Sequence, residues 1–263
     1  YHAELFPLTP ILYCGVSCQQ DGQNDPTGGF VGVCEDIDIE ATIKAGLQLY
    51  PKTKDIYIIN DRTVDGRIYD AKIKEGMISF AGRLNFHLWD NISMVELVSK
   101  VRDIKEGGLV LLVNFTRDKN GMNFSYGRSI GLISAKCRVP IFSMWQFYLG
   151  HGVLGGMMVD GKSQGMAVGK MVVDILMGDP VENFVARQAT PNHLIFDYNR
   201  MKRFAIPYKV LPEGSIVTDE PQSILWKYKK TGLTVLGIAL ALEATVIILS
   251  VVTYKSTKAE QML

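Results

Sequence analysis

The run from Thr231 to Tyr254, TGLTVLGIALALEATVIILSVVTY, is apolar except at Glu243 and polar-light at its few Thr and Ser positions. No other stretch of the chain restricts the fold as tightly. The hydrocarbon core of a bilayer asks for roughly 20 apolar residues of helix, and this run supplies them. A core helix of a globular domain keeps a polar stripe toward solvent, whereas this run is apolar on all faces. Its place near the C-terminal end separates it from a cleaved signal peptide. Lys227, Lys229 and Lys230 precede it and Lys255 and Lys258 follow it, as lysines that anchor to headgroups do. The expected arrangement is a folded domain held to a membrane by one helix.

Of 263 residues, those outside the span suffice for one large α/β domain or two small lobes. The net charge of +1, with no basic cluster interleaved with aromatics, gives no footprint for nucleic acid, and no such partner is expected. Cys14, Cys18, Cys34 and Cys137 match no zinc spacing. They allow two disulfides in an oxidising compartment, with Cys14 and Cys18 close enough to pair, but buried thiols are the expectation because free cysteine packs readily in cores. The chain runs into a strand within a dozen residues and stops at Leu263, soon after the span. Both ends read as cuts, so a fragment is expected.

Short β-rich runs alternate with helical periodicity. Ile11 to Val16 reads as a strand, followed by a Gly-rich loop from Gln19 to Gly29. Asp38 is placed to cap a helix carrying Ile43, Gly46, Leu47 and Tyr50 on one face and ended by Pro51. Asp55 to Asn60 and Leu84 to Leu88 read as strands, with a helix from about Gly66 to Gly76 between them. Ser93 caps a helix whose Met94, Leu97, Val98 and Val101 follow helical spacing. Leu109 to Asn114 is apolar like a parallel strand buried on both faces. There follow a helix around Phe124 to Lys136, strands at Val139 to Ser143 and Val153 to Val159, a helix from Ser163 to Met177, and His193 to Phe196 as the last strand. Such alternation predicts a mostly parallel sheet covered on both faces.

Gly156-Met157-Met158-Val159-Asp160-Gly161-Lys162-Ser163 satisfies the spacing of a phosphate-binding loop. Its Met-Met-Val centre prefers a strand, where such a loop needs small residues whose N–H groups wrap a phosphate. An ATPase is therefore a remote alternative. The chain has no G-x-S-x-G elbow and no H-E-x-x-H pair, and His2, His87, His151 and His193 lack ligand spacing. A binding protein, without metal, cofactor or catalytic residues, is expected over an enzyme.

In open α/β sheets ligands bind outside the carboxyl ends of the strands. Those ends carry Asn60-Asp61-Arg62-Thr63, Asn114-Phe115-Thr116-Arg117, Met144 through Tyr148, Asp160, and Cys14-Gly15-Val16. This mixture of carboxylates, amides, hydroxyls and aromatics is the usual lining of a small-molecule cleft. The candidate ligand-binding residues are Asp61, Thr63, Asn114, Thr116, Trp145, Tyr148 and Asp160. Trp145 or Tyr148 would enclose the ligand, and Asp61 and Asp160 would take its polar or cationic groups.

Several segments carry a family resemblance. Thr27-Gly28-Gly29-Phe30-Val31-Gly32-Val33, the helix after it, and Tyr50-Pro51-Lys52-Thr53-Lys54-Asp55 into Ile56-Tyr57-Ile58-Ile59 resemble the middle of a type 1 periplasmic binding protein. More narrowly, the chain is similar to the substrate-binding family of ABC transporters. Val139-Pro140-Ile141, Gly150 to Gly156, Gly165 through Gly178-Asp179-Pro180, and Asn199 to Pro212 continue that pattern. Leu211 to Ser215, Pro221 to Lys229, the span and Ala259 to Leu263 resemble the form of this domain fused to bacterial receptors with a histidine kinase or diguanylate cyclase output. The resemblance implies an α/β fold of one complete lobe and part of a second. Residues 1–33 would be the remnant of the first lobe, 34–222 the ligand-binding region (mostly second lobe, with 160–190 a candidate to pack on the first), 231–254 the transmembrane helix and 255–263 a cytoplasmic stub. It implies an extracytoplasmic sensor of a small molecule, of amino-acid or small organic solute class, in the bacterial inner membrane, with residues before Thr231 periplasmic. A membrane-tethered component of an ABC-type transporter is the alternative. The flanking lysines, three before the span and two after, lean weakly toward a cytoplasmic domain, but large domains translocate largely regardless of flanking charge. Glu243 at mid-span, near the small residues Gly237, Ala239 and Ala241, leads to the further expectation of a homodimer.

Overall fold

The computed structural model describes residues 2–6, 9–18, 29–184, 188–189, 192–221 and 229–260. The Gly-rich loop after Gln19, the Thr27-Gly28 pair, Lys227 and the last three residues lie outside them. Contacts divide the chain into two units, Tyr1–Asp219 and Glu220–Leu263.

The first unit holds two sheets. Strands β1 (Ile11–Ser17), β2 (Phe30–Glu35) and β8 (Gln188–Ala189) make a three-stranded parallel sheet in the order β1-β2-β8. The second sheet has seven strands: β3 (Asp55–Ile59), β4 (Asn85–Trp89), β5 (Leu109–Leu112), β6 (Ile141–Ser143), β7 (Gly155–Met158), β9 (His193–Asp197) and β10 (Ile216–Thr218). Their order is β10-β9-β7-β6-β5-β3-β4, with every pair parallel except β7 and β9. All four residues of β5 are buried, as an interior strand covered on both faces requires. The fold is thus mixed α/β with a mostly parallel sheet. One expectation is corrected here: β10 follows the strand taken as the last.

The helices are α1 (His2–Leu5), α2 (Ile39–Leu49), α3 (Val64–Ile68), α4 (Asp70–Ile78), α5 (Met94–Arg102), α6 (Tyr126–Lys136), α7 (Gly161–Leu176), α8 (Tyr198–Arg203) and α9 (Lys229–Glu260). Asp38 caps α2 by accepting from the Ala41 N–H at 2.8 Å, and Ser93 with Glu96 forms a reciprocal capping box on α5. The single helix expected over Gly66 to Gly76 is two, broken at Tyr69. Helix α7 packs on β1 and β2, while α2 packs on β6 and β7 of the larger sheet. The chain passes from one sheet to the other after Glu35, after Asp160, and between Ala189 and His193.

Helix α9, in the second unit, contains Gly232–Thr253, a 22-residue stretch long and apolar enough to cross a membrane by length and composition, with none of its side chains buried. At 1.5 Å per residue it is about 33 Å long, matching a hydrocarbon core. The hydroxyls of Thr245 and Thr253 return to carbonyls one turn back, Ala241 at 2.8 Å and Leu249 at 2.9 Å, so they add no unmet polar group.

The cysteines depart from expectation. Val16 lies opposite Cys34 in the parallel register, which brings Cys18, just past β1, to a Cα–Cα distance of 5.0 Å from Cys34, and the two form a disulfide. Cys14, the pairing candidate for Cys18, is an exposed thiol, and Cys137 is a buried one. Closing a loop with a sequence separation of 16 stabilises by about 3 kcal/mol in the chain-entropy account. Chemical denaturation with and without reductant should differ by about that amount. The difference should vanish in Cys34→Ser and persist in Cys14→Ser; equal midpoints with and without reductant would show that the bridge contributes nothing.

Candidate ligand-binding cleft

The carboxyl ends of β3, β5 and β6 face the ends of β1 and β2 across a cleft of about 180 Å³. One wall comes from the small sheet. The register of β1 shifts between Tyr13 and Val16, and Gly15 sits there at φ 78°, a left-handed conformation that glycine adopts without strain. The irregularity turns Gly15, Val16 and Ser17 toward the cleft, beside Glu35 from the end of β2. Gln164 of α7 holds this wall: its Oε1 accepts from the Gly15 N–H at 2.7 Å and its Nε2 donates to Glu35 at 3.0 Å.

The opposite wall is aromatic. Trp145, just after β6, is 6% exposed and fixed by a 2.9 Å hydrogen bond from its indole N–H to the Val113 carbonyl. Phe147 stacks on it with ring centroids 5.6 Å apart, Tyr69 meets it edge-on at 5.5 Å, and Tyr126 lies 4.5 Å from Phe147. Phe147 and Tyr126 are 46% and 42% exposed, so this wall presents apolar rings to solvent at the cleft mouth. Asn114 and Asp65 complete the lining near them. Burial pushes the Tyr69 phenol well above its ordinary pKa, with the charges of Glu35 and Asp65 adding to the effect. Tyr126 is raised by burial and then by Asp65, Asp61 and Glu35. A second depression, lined by Gln146, Val159 and Gly161, shares Glu35, Trp145 and Phe147 with the first.

Beneath the aromatic wall lies Asp61, 1% exposed. One carboxylate oxygen accepts from the Thr116 N–H at 2.7 Å, the Thr116 hydroxyl at 3.0 Å and the Arg117 N–H at 3.2 Å. The other accepts from the N–H and the hydroxyl of Thr63, and Asn114 Nδ2 approaches both at 3.4 Å. Thr63 in turn caps α3 by accepting from the Gly66 N–H at 3.1 Å. A Cβ on Gly66 would meet the Asp61 carbonyl oxygen at 2.3 Å, so only glycine lets α3 start this close.

The seven candidate residues therefore separate. Asn114 and Trp145 line the cleft. Asp61, Thr63 and Thr116 meet in the hydrogen-bonded cluster under it. Tyr148 is fully buried behind Phe147 and Tyr126, with its phenol pushed up by burial. Asp160 caps α7, accepting from the Ser163 N–H at 2.8 Å. Glu35, Asp65, Tyr69 and Tyr126 were not among the candidates. Tyr69 and Tyr126 stand at helix boundaries, which a rule about strand ends does not sample; Glu35 ends a strand whose neighbours were read only for their glycines.

The phosphate-loop spacing falls on a different structure. Gly155–Met158 is strand β7, the N–H groups of Met157, Val159 and Ser163 donate within the fold to Thr42, Met144 and Asp160, and Lys162 is exposed on α7. Backbone donors that a phosphate would need are already committed.

No protein-family model and no curated protein matches the chain. Solved structures do. The ligand-free, open structure of CD0873, a substrate binding protein with adhesive properties from Clostridium difficile, superposes with a TM-score of 0.62 at 15% identity, over 81% of this chain and 72% of that one. An ABC domain in complex with L-Trp from Streptococcus pneumoniae gives 0.54 at 14% identity, over 79% and 73%. A conserved domain protein from Vibrio cholerae gives 0.50 at 13% identity, over 74% and 68%. At these identities the likeness is one of fold, and the fold is that of substrate-binding proteins.

Removing the Asp61 carboxylate strands three backbone donors whose hydrogen bonds to it are part-buried. Asp61→Ala should cost about 3 kcal/mol and lower Tm by roughly 6–12 °C, with Asp61→Asn milder because one oxygen still accepts. Thermal unfolding measures this; an unchanged Tm would mean that the cluster does not hold the cleft floor.

Proposed function

We propose that the unit before the apolar helix is the extracytoplasmic ligand-binding domain of a membrane-bound bacterial receptor. It would capture a small molecule in the cleft between its two sheets. The observation that carries this is the cleft itself: aromatic rings left exposed opposite carboxylate and amide groups, at strand ends, on a fold shared with substrate-binding proteins. The Cys18–Cys34 disulfide supports an oxidising compartment, and Gly232–Thr253 supports attachment to the inner membrane through one span. The protein acts by binding rather than by catalysis. A ligand that draws the sheets together shifts the domain between open and closed populations, and the span carries that shift to an output domain.

The second reading is a tethered substrate-binding component of an ABC-type transporter, favoured by the descriptions of the structural neighbours. A reading frame continuous with a kinase or cyclase supports the receptor, and an adjacent permease gene supports the transporter.

Binding is tested on the full chain in detergent by titration calorimetry against amino acids, small organic acids and amines. The expected result is a one-to-one ligand whose affinity falls about tenfold or more in Trp145→Ala, since an enclosing aromatic surface is lost. A ligand that binds Trp145→Ala unchanged would place the site elsewhere, and silence across the screen would remove the small-molecule reading.

The receptor reading also calls for a dimer through the span, with Glu243 facing a second copy and Gly237, Ala239 and Ala241 allowing close approach. Single cysteines along the span of the membrane-embedded protein should crosslink with helical periodicity that includes position 243. Uniform or absent crosslinking rules the dimer out.

A further inference from the structure

Among the described side chains that line this cleft the charged ones are acceptors, and the indole N–H of Trp145 is already spent on the Val113 carbonyl. Glu35 and Asp65 are carboxylates. Asn114, 5% exposed and part of the lining, turns its amide nitrogen to Asp61, so the group it has left to offer is an acceptor, the carbonyl Oδ1. No lysine, arginine or histidine lines the cleft among the described residues. Among the described residues the side chain of Glu35 receives a neutral amide donor, from Gln164 at 3.0 Å, and no cationic one. Around these acceptors stand Trp145, Phe147, Tyr69 and Tyr126, whose ring faces carry negative electrostatic potential.

Resting on the ligand-binding reading above, we propose that the cleft is selective for an organic ammonium cation. Its charged nitrogen is met by Glu35, Asp65 and Asn114 Oδ1, and its apolar body is enclosed by the rings of Trp145 and Phe147. Three lines of chemistry converge on this class. A cation over aromatic faces is attracted by their quadrupoles, most strongly over tryptophan. An ammonium supplies N–H donors to the acceptors that line the cleft. An anion, by contrast, would enter a site with two carboxylates and, among the described residues, no basic side chain, where like charges repel at low dielectric. The upward push on the Tyr69 and Tyr126 phenols, due first to burial and then to Glu35 and Asp65, reports the same negative potential across the cleft. A zwitterionic amino acid satisfies the acceptors but brings a carboxylate for which the lining offers no basic partner. The expected order is therefore amine, then zwitterion, then acid.

Three probes of matched shape test the charge: phenethylamine, L-phenylalanine and 3-phenylpropionate, with choline as a cation lacking a ring. Binding is read by calorimetry on the full chain in nanodiscs, with quenching of tryptophan fluorescence as a second signal. Phenethylamine should bind at least tenfold tighter than 3-phenylpropionate, and choline should bind detectably. Glu35→Gln and Asp65→Asn should each weaken phenethylamine about tenfold or more, the loss expected for a charge-assisted hydrogen bond, while leaving or improving 3-phenylpropionate. Amine affinity should also fall as salt rises. If 3-phenylpropionate binds as well as phenethylamine, or if neither substitution changes the preference, the charge selectivity is overturned while the cleft keeps its role as a ligand site. If none of the probes and no other small solute binds, both proposals fall together.

Discussion

A carboxylate taken out of water costs several kcal/mol unless its lone pairs are filled, and Asp61 at the end of β3 is filled by the loop after β5 on one oxygen and by Thr63 on the other. That requirement organises the floor of the cleft. Thr116 and Arg117 must present their N–H groups inward, so the chain leaving β5 turns back over β3. Thr63 must sit beside the same carboxylate, which brings its hydroxyl to the start of α3 and leaves Gly66 no room for a side chain. The short run between β5 and Thr116 carries Val113 and Asn114, and the Val113 carbonyl receives the Trp145 indole. Asp61 thus fixes the aromatic wall at one remove.

The opposite wall rests on neutral hydrogen bonds. Gln164, buried on α7, spans from the Gly15 N–H to Glu35, so the helix entered at the second crossing positions both strand ends of the small sheet. At the first and third crossings, Asn192 Nδ2 donates to the Asp36 carbonyl at 2.7 Å, tying the two connecting segments together. The interior of the large sheet is close-packed, with Leu112, Val113, Phe196 and Leu154 all inaccessible, so in the proposed receptor any relative movement of the sheets would fall on the few linking residues.

Much of this was legible in the chain. The apolar run at β5, the Asp38 and Ser93 caps and the break at Gly178 follow from periodicity and capping chemistry, which act within a few residues. Asn114 and Trp145 emerged from the rule that ligands meet the carboxyl ends of parallel strands. That rule weighs each strand end separately, so it could not distinguish Asp61, whose polar atoms are consumed by Thr63 and Thr116, from a residue that faces solvent. The disulfide was hidden for a related reason. Cys18 and Cys34 meet through a parallel register and an irregularity at Gly15, and neither leaves a mark in spacing. Strands β8 and β10 are two and three residues long, too short to show an alternation. The antiparallel β9 is apolar like its neighbours, and direction within a sheet is a property of connections rather than of composition.

For the receptor proposed above, the division of the lining between two sheets would have an energetic consequence. A ligand changes a conformational equilibrium only by its difference in affinity between the states, and moving a pair of states from 1:99 to 99:1 takes about 5.5 kcal/mol. A micromolar ligand has about 8.2 kcal/mol of binding free energy, so most of it must depend on the closed arrangement. Here the acceptor Glu35 belongs to one sheet, while Asn114 and the rings of Trp145 and Phe147 belong with the other. A ligand held by one wall alone gains the ring contacts or the Glu35 contact, and only the approach of the sheets gives it both. Charge adds to this difference, because the attraction between a cation and Glu35 strengthens as the rings exclude water from around it. In the proposed receptor, Phe147 and Tyr126, exposed at the mouth, are apolar surface that closure would bury, so their dehydration would add to the free energy that depends on the closed arrangement.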